Sequence, residues 1–412
     1  MSTTVPARRI RTPVVVGAVA LAAAGFAAAE LVRRTGGVPI NWMADFDVYR
    51  GGGGAVLHGP PLYDLRVPID YRVDGVQVRL PFTYTPFAAL VFVPLSLPGT
   101  GFAHAFWFVL NTLALAAVVW TSLGLMRVPA GRLRAGLTVA GTAAAFLLDP
   151  VLENAFDGQI NVLLMLLVLV DRAPWVQPRW RGVLTGVAAA IKLTPLVFAV
   201  HLLFAGRPKD ALRAFATFAA GLGLSFLVLP DSTRRYWLDG WLFDIDRFLV
   251  GPPIGVNHSL AGFFARLAGQ WQNPGWTVPV CGLAGLAGVL AGAWLTRRGH
   301  ELLGVTVVGA TAVAVAPLTW YFHLVWIVPA LVWLGCATWQ RSGPWPAVVG
   351  LALFVWFEVP VYGLAQRFDG SAPYQLTTAG NLIATLAGPL VPIVLVLGTL
   401  PWWARNLRPP GG

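Results

Sequence analysis

The sequence predicts an all-α, polytopic membrane protein, and three observations carry that reading. The chain is 57% hydrophobic and only 11% charged, with a mean hydropathy of +0.68, whereas soluble domains run at about 25% charged. Its apolar residues fall in long continuous runs, not in the alternating segments of ~10 residues that mark a membrane β-barrel. A backbone in lipid must satisfy its own hydrogen bonds, so such runs are helices. The basic residues gather in short loops between the runs, as cytoplasmic loops do. The net charge of +11 therefore calls for no nucleic-acid partner.

A crossing helix needs about 20 apolar residues. Segments that meet or approach this are 14–33, 101–126, 134–150, 158–171, 182–205, 210–229, 276–296, 301–318, 322–339, 344–365 and 379–403. The expectation is roughly 11–12 membrane helices in a single domain, 1–412. Arg8, Arg9 and Arg11 precede the first run, which is longer than a signal-peptide core of about 7–15 residues. It reads as an uncleaved helix with a cytoplasmic N-terminus. Phe87–Leu97 is apolar but too short to cross, so it is expected to lie at the outer interface. That choice keeps Arg127, Arg132 and Arg134 inside.

Segment 182–205 is interrupted by Lys192-Leu193-Thr194-Pro195. Proline removes a backbone donor and breaks a helix. A chain that enters, breaks here and returns keeps Arg179, Arg181, Arg207, Lys209 and Arg213 on one side. It places Arg297, Arg298, Arg341, Arg405 and Arg408 there too. The pieces left outside are 34–100, 151–157, 231–275, 319–323 and 366–378. The first of these is the longest polar stretch and holds Asp45, Asp47, Asp64, Asp70 and Asp74 of the 18 acidic residues. It also carries Arg33, Arg34, Arg50, Arg66, Arg72 and Arg79, against the usual charge bias. Gly51–Gly54 lacks the strand–turn–helix setting of a nucleotide loop and reads as a turn or flexible helix start. Cys281 and Cys336 lie in apolar runs and give neither a disulfide frame nor a metal site.

Several polar groups stand out against this background. Asp45 and Asp47, at i and i+2, point to different sides of a helix. One of them suits a general base; capping is the plainer use. Lys192 is one of only two lysines, and an ionisable group in mid-membrane is a functional candidate. Beside a helix break it suits an anion such as a lipid-linked phosphate. Snorkelling is the alternative, but the position is central. His323 sits among aromatics in Pro317–Trp326, where it suits either a phosphate or sugar contact or an interfacial aromatic belt. Glu153, Asp157, Gln159 and Asn161 form a polar cluster that either meets a sugar or caps the next helix. Asn257-His258-Ser259-Leu260 either binds a headgroup or makes a turn.

In order along the chain, seven segments resemble the signatures of the family 87 glycosyltransferases. They are Asp45-Phe46-Asp47-Val48-Tyr49, Pro60–Asp64, Phe82–Ala89, Gly158–Leu164, Ile191–Pro195, Asn257–Leu260 and Thr319–Trp326. Each is short; the ordered set spans nearly the whole chain. Three departures occur: Thr85 where the family pattern has proline, Phe322 at the first of two histidines, and His258 for glutamine. They bear on the histidine site and the acceptor more than on the reaction class.

The resemblance implies a GT-C fold with its site between the outer loops and the membrane, and a lipid-phosphate sugar donor with no cofactor or metal. The nearest likeness is to polyprenol-phosphate-mannose-dependent α-1,2-mannosyltransferases. The implied partners are a polyprenyl-phosphate-mannose donor and a mannosylated glycolipid acceptor, a phosphatidylinositol mannoside or lipomannan. The alternatives are arabinofuranose transfer within the family, and a transporter without chemistry. The expected roles are Asp45 as base, and Lys192 and His323 as the donor-phosphate contacts. Asp47, Tyr49, Arg50, Tyr84, Glu153, Asp157, Gln159, Asn161, Asn257 and His258 are the expected substrate contacts.

Overall fold

A computed structural model describes residues 43–73, 76–244, 257–268, 275–340 and 345–358. The expected helices 14–33 and 379–403, the loop 366–378, and Arg33, Arg34 and Asp74 lie outside the described residues, as does part of the loop 231–275.

Among the described residues, four stretches are long and apolar enough to cross a membrane: Thr100–Leu125 (α3), Pro208–Val228 (α9), Thr277–Arg297 (α12) and the continuous run Tyr321–Trp339. That last run joins a 3-10 turn, Tyr321–Trp326, to helix α14, Ile327–Trp339. Shorter apolar helices pack among them: Asn161–Val170 (α6), Glu301–Val315 (α13) and Trp345–Glu358 (α15). The protein is an all-α, multi-pass membrane protein of the expected class.

One segment corrects the sequence reading. The run 134–150 is not one crossing helix. Arg132–Ala145 (α4) ends, and Asp149–Phe156 (α5) leaves it at 80°. Pro150 sits in the first turn of α5. A proline there lacks the N–H that would continue α4, and its ring clashes with the carbonyl four residues back. It is well tolerated only where a new helix begins.

The described part of the stretch 34–100, expected as an outer loop, is more structured than a loop. It opens on α1, Ala44–His58, and continues through an antiparallel hairpin, β1 Arg66–Val73 with β2 Val76–Pro81, paired Arg66↔Pro81 and Val73↔Val76. The hairpin was not expected, although Asp74-Gly75 between two valine-rich runs is a strong hairpin signal. Next comes α2, Pro86–Ser96, eleven residues long and too short to cross, as its sequence suggested. Stacked aromatic pairs lock α1 against α2 and α3, Tyr49 on Phe92 (4.7 Å) and Phe46 on Trp107 (4.8 Å). The late loop joins this layer through α10, Pro230–Trp237, and its later described part holds the short helix α11, Leu260–Leu267. On α10, Arg235 pairs with Asp64 at 2.7 Å and Tyr236 stacks on Tyr63.

The break at Lys192–Pro195 makes a hairpin of two half-helices, Val183–Ile191 (α7) and Leu196–Phe204 (α8). Gly182, at φ 99°, lies against the carbonyl of Asp210 in the first turn of α9; neither the angle nor the space would admit a side chain. Farther up α9, Gly186 abuts Ala214, and the Ala190 methyl lies 2.8 Å from where a Cβ on Gly221 would stand. The chain then returns: Arg207 N–H bonds the Leu202 carbonyl and α9 begins at Pro208. Both feet of the hairpin therefore stand at the start of α9, and Lys192 is at its tip.

Those feet belong to an arginine-rich end of the bundle. The buried Asp171 carboxylate accepts the Gly182 N–H (2.9 Å) and the Thr185 hydroxyl (2.6 Å), and Arg172 donates to Thr185. Arg207 makes a two-pronged pair with Glu301. Arg134 donates to the Trp120 carbonyl and lies over the Trp120 ring. Residues 43–73 and 76–96, α5, α10 and residues 319–323 cluster at the opposite end.

Candidate active site

Asp45 is placed by the join between α1 and α5. Met43 adopts the left-handed conformation (φ 59°) and donates its N–H to Phe156 O at 2.7 Å. The N–H groups of Asp45 and Phe46 both reach the Asp157 carbonyl. These are donors that a helix start leaves unpaired. Gly158, at φ 70°, follows immediately, and its carbonyl accepts the Trp107 indole N–H at 2.7 Å. A Cβ there would stand 2.5 Å from Phe46 Cβ. The turn thus delivers Gln159 to Asp45.

From Asp45 an unbroken line of side chains runs to His323. Gln159 Nε2 donates to Asp45 Oδ2 at 2.7 Å, and Gln159 Oε1 lies 2.9 Å from the Tyr49 hydroxyl. The Tyr49 hydroxyl also meets that of Tyr84 at 2.9 Å. Asn161 Nδ2 reaches Gln159 Oε1 (3.5 Å), Asn154 Oδ1 (3.3 Å) and the Phe322 carbonyl (3.3 Å). Lys192 Nζ donates to Asn161 Oδ1 at 3.0 Å, faces His323 Nε2 at 3.2 Å, and lies 5.5 Å from the Tyr84 ring centre.

The Lys192–His323 contact has a chemical consequence. Trp320 N–H donates to His323 Nδ1 at 3.0 Å, so that nitrogen carries a lone pair. The proton of the neutral ring is then on Nε2. Nε2–H and the lysine ammonium are both donors, and two donors at this separation are complementary to one shared anionic oxygen. Across the network, Asp45 is half-buried in the crevice. Burial pushes its carboxyl up to about 6, against the opposing pull of the Gln159 hydrogen bond and the Lys192 charge. A carboxylate held near neutrality is suited to accepting a proton. Asp157 is also pushed well above the usual carboxylate range, by burial first and by the neighbouring Asp45 and Glu153 charges second.

The other expected site residues fall elsewhere. Asp47 pairs with His104 at 2.8 Å and more loosely with Arg50, on another face of α1 from Asp45. Arg50 also donates to the carbonyls of Leu95 and Pro98, fastening α1 to the end of α2. Asn257 closes the late loop onto the 317–319 turn, donating to Pro317 O and accepting from the N–H groups of Ser259 and Thr319. His258 N–H bonds Thr319 O, and its ring meets the Tyr321 ring edge-on. Glu153 is exposed on α5. Asp157 contributes its backbone carbonyl to the seating of α1.

The sequence model of glycosyltransferase family 87 matches residues 82–319, more than half of the chain. The chain belongs to glycosyltransferase family 87. It is therefore read as a glycosyltransferase, and similar enzymes narrow the comparison. One, from Mycolicibacterium smegmatis, is a polyprenol-phosphate-mannose-dependent alpha-(1-2)-phosphatidylinositol mannoside mannosyltransferase, 32% identical over 90% of this chain and 83% of its own length. A Mycobacterium tuberculosis enzyme of the same name is 32% identical over 82% of this chain and 81% of its own length. A second M. smegmatis enzyme, named for a phosphatidylinositol pentamannoside, is 35% identical over 90% and 87%. No solved structure matches the chain.

Within this family 87 chain, sequence reasoning missed several supports of the site. Asn154 and the Phe322 carbonyl hold Asn161; Trp107 holds the Gly158 turn; His104 takes up Asp47. Asn154 lies inside the Glu153–Asn161 polar cluster without having been singled out; Trp107 and His104 belong to no polar run. A lone histidine or tryptophan in an apolar helix carries no signal until its partner, some 50 residues away in sequence, is known.

Proposed function

We propose that this family 87 enzyme transfers mannose from a polyprenyl-phosphate-mannose to a phosphatidylinositol mannoside, forming an α-1,2 linkage with inversion, on the extracytoplasmic face of the cell membrane. The names of its relatives supply donor and acceptor. The sidedness is supported by the arginine-rich end carrying Arg134, Arg172 and Arg207, which the positive-inside tendency assigns to the cytoplasm, opposite Asp45.

The observation that carries the reading is the Lys192–His323 pair of donors, joined to the Asp45 carboxylate through Gln159 and Asn161. The acceptor hydroxyl oxygen attacks the anomeric carbon of a β-linked mannosyl phosphate as its proton passes to Asp45. The bond from that carbon to the phosphate oxygen breaks, and the electron pair leaves with the phosphate. Lys192 Nζ and His323 Nε2–H bind the oxygen that gains charge. Attack and deprotonation must be concerted, because a carboxylate is too weak a base to ionise an alcohol beforehand. The phosphate departs as a stable anion and requires no acid.

The test is transfer from radiolabelled polyprenyl-phosphate-mannose to a phosphatidylinositol mannoside by membranes carrying wild-type protein or Lys192→Gln. The variant should lose about a hundredfold or more in kcat/KM, as expected for an electrostatic donor at a leaving group. Near wild-type transfer by Lys192→Gln, or label accepted only from a pentofuranosyl phosphate, would sink the assignment.

A further inference from the structure

We propose that Thr85 is the positioning residue for Lys192, and through it for the donor phosphate. The inference rests on the donor reading above.

Lys192 lies at the tip of a hairpin whose feet are far from the crevice, so something at the tip must fix its depth. The chain at Lys192 is extended (φ −141°, ψ 129°) and belongs to neither half-helix. The last carbonyls of a helix have no partner inside it. Those of Ala190 and Ile191, immediately before Lys192, face one hydroxyl: Thr85 Oγ1 lies 2.5 Å from Ala190 O and 3.0 Å from Ile191 O. The same oxygen accepts the Ala88 N–H at 3.2 Å and so caps the start of α2. Thr85 is only 2% exposed, so water does not replace these bonds.

One hydroxyl thus joins two helix ends, the first turn of an outer interfacial helix and the last turn of a half-helix rising from the other side. Its chain neighbour Tyr84 meets Lys192 through its ring and reaches Gln159 through Tyr49. Residues 84–85 therefore hold the lysine from two directions. Thr85 is also where this sequence departs from the proline of the family pattern. A proline there has no hydroxyl to give.

The test compares Thr85→Val, Thr85→Ser and wild type for donor KM, kcat and thermal unfolding in detergent, with Lys192→Gln alongside. Valine keeps the shape and removes the hydroxyl; serine keeps the hydroxyl. The expected result is that Thr85→Val raises donor KM about fivefold with kcat within about twofold, the scale of one buried hydrogen bond, while Thr85→Ser stays close to wild type. A Thr85→Val enzyme with unchanged donor KM overturns the proposal. So does a Thr85→Ser enzyme impaired as badly as the valine variant, or a fall in kcat and Tm without a rise in KM, since a purely structural cap would behave so. If Lys192→Gln loses activity while Thr85→Val is normal, the donor reading stands and only this inference falls. If Lys192→Gln is normal, the donor reading itself has failed.

Discussion

Asp45→Asn separates the proton-accepting role from everything else this residue touches. Asparagine is the same shape and still offers an oxygen to Gln159 Nε2, now 2.7 Å from the carboxylate. The seating of α1 runs through backbone groups and is untouched. What disappears is the charge and the ability to take a proton, and a positioned base is worth about a hundred- to ten-thousand-fold. The wild-type pH profile of kcat/KM should fall below about 6, because burial holds the Asp45 carboxyl there and a protonated carboxyl accepts nothing. The residual Asp45→Asn rate should show no such limb. Gln159→Leu removes a hydrogen bond that favours the ionised form, so its limb should move to higher pH.

Stability must shift in the opposite sense. The folded value lies above the ordinary 3.8, so the contribution is fully present below 3.8 and is lost as pH rises through 6. At neutral pH the ionised group opposes folding, and the rise from 3.8 to about 6 corresponds to at most ~3 kcal/mol. Partial exposure of the side chain reduces this. Asp45→Asn should therefore unfold at a higher temperature in detergent at pH 7 than wild type while transferring little mannose. An Asp45→Asn enzyme within about tenfold of the wild-type rate, well short of the loss expected of a base, or one less stable than wild type, would refute the reasoning.

Two further substitutions probe the frame. His323→Gln keeps a donor near the Nε2 position, whereas His323→Asn keeps only an acceptor near Nδ1 for Trp320 N–H. Donor KM should rise by about ten- to a hundredfold in the asparagine variant, the scale of a hydrogen bond to a charged group, and less in the glutamine variant; the reverse order would exclude Nε2–H as a phosphate contact. Gly158→Ala forces a side chain into a left-handed turn and against Phe46 Cβ, so it should lower stability by about 1–3 kcal/mol and reduce kcat by shifting Asp45, read as a lower Tm together with slower transfer.

Some of the site was legible in the sequence because the physics there is expensive. A lysine inside an apolar segment, beside a proline, needs a reason, and Lys192 is found at the hairpin tip the break implies. The i, i+2 spacing of Asp45 and Asp47 foretold different surroundings, and they have them: Gln159 for one, His104 for the other. What stayed illegible depends on long-range pairing. Gln159 reads like any helix-start polar residue until α1 docks on α5. Asn257 looked like a headgroup ligand or a turn, and its amide is used to close one loop on another. The bend after Ala145 was missed because the apolar run continues through Phe146-Leu147-Leu148 up to Asp149-Pro150, where the expected helix was ended. The β1–β2 hairpin was missed because this polar stretch was expected to hold interfacial helices and turns, and no strands were weighed.

The hairpin of α7 and α8 also governs parity. Because its two feet stand together at the start of α9, it adds length and a half-buried cation without adding a crossing, so every later helix keeps the sidedness it would have had if residues 183–204 were deleted. Straightening the break, as replacement of Pro195 by leucine would encourage, turns a segment that makes no crossing into one that makes one. The α9–α15 half of the molecule would then be threaded upside down, carrying His323 to the leaflet opposite Asp45.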